Sequence, residues 1–129
     1  MNVFFQAIQA HFDAEPRNDF YSALNGEFYY GEALGRASEY AVYFGLPGVP
    51  EDTWSDSIND VSFQVNCYAP SPAQAGELLE KCLLLFSGSA LQINGYQDVW
   101  LKTEMFTPPW RDGERWASSA EFQGYLIKR

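Results

Sequence analysis

The residues able to do chemistry in this chain of 129 residues are few, and their spacing suits little of it. The one histidine, His11, lies on the first amphipathic stretch with no Cys-His or Ser-His signature around it, so a nucleophile would lack its positioned base. Zinc needs four clustered ligands. One histidine and the two cysteines, Cys67 and Cys82, which a strand and part of a helix separate, do not supply them. Asp52, Asp56 and Asp60 bring three carboxylates into one segment. They lack the alternate-residue oxygen spacing and the glycine of a calcium loop, and they read as solvated turn carboxylates. No glycine-rich phosphate cradle occurs, and Glu77 and Glu80 fall on the polar side of their helix. The sequence predicts no enzyme, no metal site and no cofactor.

The elements that carry these residues follow from periodicity. Phe4, Phe5, Ile8 and Phe12 share one face of a helix over residues 2–13, which Pro16 ends. Residues 19–25 leave room for one further turn before Gly26, and 28–30 form a short strand candidate. Residues 39–46 read as a strand that stops at Pro47-Gly48. Val61, Phe63, Val65, Cys67 and Ala69 alternate with polar residues, which is the pattern of a strand with one buried face. Ser71 serves as a helix cap, Pro72 suits the first helical position, and Gln74 completes a capping box. Ala75, Leu78, Leu79, Cys82, Leu83 and Phe86 then form an apolar stripe that ends at Gly88.

Residues 98–106 alternate as a further strand that the run Pro108-Pro109-Trp110-Arg111-Asp112-Gly113 should break, and 114–127 close the fold. The strands then make two antiparallel pairs separated by the central helix. The expected fold is one α+β domain over residues 1–129: an antiparallel or mixed sheet of about four main strands, with two helices on the face of Val61, Phe63, Val65 and Cys67.

Composition narrows the functional classes. The net charge is -9, and its distribution is uneven: residues 1–60 hold ten acids against Arg17 and Arg36, while 61–129 hold seven acids and six bases. An acidic half without any basic stripe repels phosphate, so no specific nucleic-acid binding is expected. No apolar run approaches membrane-spanning length, and no basic region followed by an apolar core marks a cleaved leader. The expectation is a soluble protein with no membrane partner. Both cysteines fall on apolar faces and read as buried thiols, with a disulfide between them as the alternative. Aromatic residues make up 17% of the chain, a surplus that suits either a tyrosine-rich sheet or an oligomer interface.

Three segments carry a family resemblance: N-D-F-Y-S-A-L-N-G-E-F-Y-Y-G-E-A at 18–33, P-G-V-P-E-D-T-W-S-D-S-I-N-D-V-S-F-Q-V at 47–65, and P-A-Q-A-G-E-L-L-E-K at 72–81. In order and length the chain resembles the tail-completion proteins of long-tailed bacteriophages, also called tail-terminator or head-tail joining proteins and often described as minor capsid proteins. The resemblance implies a structural subunit without enzymatic activity or cofactor. It would form a homo-oligomer, usually a hexameric ring, that caps the tail tube protein and docks to head-tail connector proteins. Such a subunit would be assembled in the bacterial host cytoplasm and reside in the tail or neck of the virion.

Two segments place exposed-type aromatics beside charges and prolines: Glu51, Asp52, Trp54 and Asp56 in one, and Pro109, Trp110 and Arg111 in the other. Trp and Arg are frequent hot-spot types, so both segments, read as loops, are candidate interfaces. The competing class is a monomeric α+β module that binds a small ligand or peptide, with the consecutive aromatics Phe28, Tyr29 and Tyr30 as a pocket wall.

Overall fold

A computed structural model describes residues 3–33, 37–46 and 58–127, with 58–60 described by backbone alone. The elements run α1 (Val3–Asp13), α2 (Asp19–Leu24), β1 (Phe28–Tyr30), β2 (Tyr40–Gly45), β3 (Ile58–Ala69), α3 (Pro72–Phe86), β4 (Ala90–Leu91), β5 (Val99–Trp100), β6 (Lys102–Asp112) and β7 (Arg115–Ile127). The fold is α+β. Five strands form one mixed sheet in the order β1-β2-β3-β7-β6, and β4 pairs with β5 in a small second sheet. The two expected antiparallel pairs, β2 with β3 and β6 with β7, are both present. A third antiparallel pairing of β3 with β7 joins them, and the short β1 adds a parallel edge.

The helices begin and end where local chemistry places them. Ser71 caps α3 by accepting from the amide of Gln74 at 3.2 Å, and Pro72 fills the first helical position. Gln74 does not complete the expected box: its oxygen accepts from the Ser71 hydroxyl, and its amide nitrogen donates to Glu39 across the gap to β2. Gly88 turns the chain at φ +74°, the left-handed conformation that a glycine adopts without steric cost. The short α2 is held by Asn18, which accepts from the Tyr21 amide and donates to the Phe12 carbonyl, tying the start of α2 to the end of α1.

All three helices lie on the sheet face of Val61, Phe63, Val65 and Cys67, as the alternation requires. Phe63 meets Phe4 of α1 and Phe86 of α3 edge-on, with ring centroids 5.7 and 5.5 Å apart, and stacks on Phe122 of β7 at 5.2 Å. Such pairs add about 0.5–1.5 kcal/mol beyond area burial. They tie α1 and α3 to the central strands. Cys67 and Cys82 face each other in this core as free, buried thiols. Burial and the thiol contact with Cys67 push the Cys82 thiol well above its ordinary range.

The structure corrects the reading of the strand over 98–106 and of the proline run after it. The strand expected over 98–106 divides at Leu101: Val99 and Trp100 pair with β4, and β6 starts at Lys102. A bulge between Thr103 and Met105 then slips the register by one residue. Thr103 opposite Phe122 points toward the helices, whereas Met105 opposite Glu121 points the other way and is 54% exposed. The proline pair does not end the strand. Pro108 and Pro109 occupy a second bulge on an edge strand, where a missing amide donor costs no ladder bond, and β6 continues through Trp110 and Arg111 to Asp112. The other strand to grow is β3, which starts at Ile58 and so takes in the backbone of Asp60.

Candidate functional site

Alternation along the sheet puts a second set of residues on the face away from the helices. Among the described residues no element covers this face. Its middle is a polar ladder in which Gln64 donates to Asn66 at 2.7 Å, and Asn66 donates to the Tyr68 hydroxyl at 3.5 Å. At the end near the β6–β7 turn the register aligns Tyr40, Tyr68, Ala117 and Trp110 in one row across β2, β3, β7 and β6. Tyr40 and Tyr68 stack with centroids 4.9 Å apart, and the Arg115 guanidinium lies over both rings, at 5.6 and 5.7 Å. Ala117, although on this open face, is fully buried between its tall neighbours. The row is therefore a preformed strip of two tyrosines, an arginine and a tryptophan, the residue types that dominate binding energy at interfaces.

Of the seven interface residues expected from sequence, three lie within the described structure. Pro109, Trp110 and Arg111 are on β6 rather than in a loop. Pro109 turns toward α3, where its Cγ lies 3.7 Å from the position a Cβ on Gly76 would take, so it packs inward more than outward. Trp110 joins the tyrosine strip and is 37% exposed. Arg111 is exposed, donates to the Gly113 carbonyl at 3.0 Å, and forms no ion pair among the described residues. Glu51, Asp52, Trp54 and Asp56 lie outside the described residues. The strip partners Tyr40, Tyr68 and Arg115 were missed, because no local pattern joins positions so far apart in the chain. Only the strand register does.

The proposed aromatic pocket wall does not form. Phe28, Tyr29 and Tyr30 alternate across β1, so their rings cannot share one surface. Phe28 is buried, stacked between Phe12 and Tyr43 at 4.4 Å from each, while Tyr30 is 47% exposed beside Phe5. One concavity, of about 420 Å³, is an open groove among His11, Asn18, Phe20, Lys81 and Leu84. His11 there bridges α1 to the end of α3: its Nε2 lies 3.0 Å from the Leu85 carbonyl, an acceptor, so that nitrogen carries the proton. Among the described residues no three His, Cys, Asp or Glu side chains converge as metal ligands would.

No protein-family model matches the chain, and no curated protein matches it. Solved structures do. One, whose name carries no function, is 14% identical, with 97% of this chain and 96% of that chain covered at a TM-score of 0.67. Another belongs to the virion of a native gene transfer agent particle, with 14% identity, 97% of this chain and 92% of that chain covered, and a TM-score of 0.65. This chain is similar in fold to a component of that virion. At such identity the likeness is one of backbone: the α+β arrangement is shared over nearly the whole of both chains.

Proposed function

We infer that the chain is a structural subunit of a phage-type particle, and more narrowly a tail terminator or head-tail joining subunit. It would close into a ring, of six copies by the family resemblance, cap the tail tube and dock to the head connector. The observation that carries this reading is the fold likeness to a chain of the gene transfer agent virion, which extends over nearly the full length of both chains. It agrees with the segments at 18–33, 47–65 and 72–81 that resemble tail-completion proteins.

The surface chemistry is compatible with such work. The strip of Tyr40, Tyr68, Trp110 and Arg115 offers rigid aromatic area at low entropic cost. The acidic excess of the whole chain, -9, suits a protein that must stand beside DNA without holding it. Sedimentation and native mass spectrometry of the full chain, alone and with purified tail tubes, test the reading. Rings that bind tube ends and halt their growth are the expected result. A chain that stays monomeric and leaves tube length unchanged would overturn it and return the monomeric binding module to first place.

A further inference from the structure

The two edges of the five-stranded sheet differ in a complementary way. Strand β6 is an edge of 11 residues, and between the paired Lys102 and Glu104 and the charged turn at its end runs Met-Phe-Thr-Pro-Pro-Trp, without one charge. Phe106 on the helix-bearing side is 56% exposed, and Arg111, on the same side by register with Trp116, is exposed and forms no ion pair among the described residues. Strand β1 is the opposite edge, about 19 Å away at four strand spacings. On its helix-bearing side Tyr30 is 47% exposed and held firm by ring contacts to Phe5 and Tyr43. Glu32 follows Tyr30 in an exposed turn and has no ion pair among the described residues. One edge thus shows an aromatic beside a cation, and the other an aromatic beside an anion.

We propose that the β6 edge of one copy, through Phe106 and Arg111, docks on the β1 edge of a second copy, through Tyr30 and Glu32. The occupant is another copy of this chain because the complementary patches lie on opposite sides of the same molecule. A contact between unlike patches runs head to tail, and when the rotation closes it gives a ring, whereas a patch that pairs with itself stops at a dimer. Long exposed apolar edges are ordinarily covered or blocked. Here the prolines block only the distal half of β6 and leave Met105 and Phe106 for a neighbour. The inference rests on the ring-forming reading above and specifies its contact.

Charge exchange tests it. Arg111→Glu and Glu32→Arg each alter an exposed residue, so the fold is expected to survive, which circular dichroism checks. Sedimentation of the full chain across a concentration series is expected to show each single variant assembling at least about tenfold more weakly than the wild type, and the double variant recovering most of that loss. Single variants that assemble like the wild type would overturn the proposal, as would a double variant no better than its parents. Loss from Arg111→Glu without loss from Glu32→Arg would indicate a two-fold β6 contact and overturn it too. Assembly of the wild type alongside any of these results leaves the ring reading standing, while a wild type monomeric even with tail tubes removes both.

Discussion

Replacing Gly124 by alanine would put a Cβ 2.8 Å from Val99 Cγ1 and 3.3 Å from both Leu101 Cδ2 and the Trp100 carbonyl oxygen. Those atoms belong to the crossing of β5 over β7, where Val99 is fully buried and, as a β-branched residue, has little rotamer freedom with which to retreat. Overpacking of this kind costs about 1–3 kcal/mol, against which the loss of glycine freedom in the unfolded chain returns about 0.4–1 kcal/mol. The net expectation is a loss of about 1–2 kcal/mol. Gly76 supplies the control: in the interior of α3 a Cβ would meet only Pro109 Cγ at 3.7 Å, an ordinary contact. There the same substitution should gain about 0.5–1 kcal/mol from helix propensity. For a domain of this size 1 kcal/mol moves Tm by roughly 3–6 °C, so the two variants should lie on opposite sides of the wild type in thermal melts. Urea titrations should agree, with shifted midpoints and unchanged slopes. Gly124→Ala as stable as the wild type would refute the close β5–β7 crossing. Gly76→Ala destabilised by more than about 1 kcal/mol would refute the open space beside α3.

Two further outcomes follow from buried groups. Burial first, then the charges of Asp13 and Tyr30, raises the Tyr43 phenol far above its usual value of 10.0; the stability it gives is complete below about pH 10 and is lost as pH climbs toward the raised value. Tyr43→Phe, which also removes the 2.8 Å bond donated to Gln9, should cost about 1 kcal/mol at neutral pH and flatten the alkaline decline; parallel declines in urea midpoints between pH 8 and 11 would contradict this. Cys67 and Cys82 should stay unreactive toward a thiol reagent in native buffer and both titrate in denaturant, and rapid stoichiometric labelling of the native chain would contradict their burial.

The elements readable from sequence were those set by local chemistry. Ser71 and Pro72 fix the start of α3, and strict alternation from Val61 to Ala69 fixes the buried face of β3. The parts that were not readable depend on a partner strand. The bulge after Thr103 exists because β6 must follow β7, and it sends Met105 to the open face although the sequence alternates as if it pointed inward. The proline pair looked like a stop because its meaning changes at a sheet edge, a position that only the strand order reveals. Of the strip on the open face, Trp110 was legible as a residue type. Tyr40, Tyr68 and Arg115 were not, since their meeting depends on register between segments far apart in the chain.

The strand order also has a consequence for synthesis. β7, the last strand described, does not sit at an edge: it fills the gap between β3 and β6, pairing residue for residue from Ile58 opposite Ile127 to Ala69 opposite Trp116. A nascent chain that has emerged only as far as α3 can pair β1, β2 and β3 and lay helices on them, but the side of β3 that β7 will occupy stays open and Phe63 lacks its stacking partner Phe122. Closing so distant a pairing is slow, because the entropy of a long loop is lost before the contact rewards it. The sheet therefore completes only after translation has delivered β7, and every copy passes through an interval with a bare central strand.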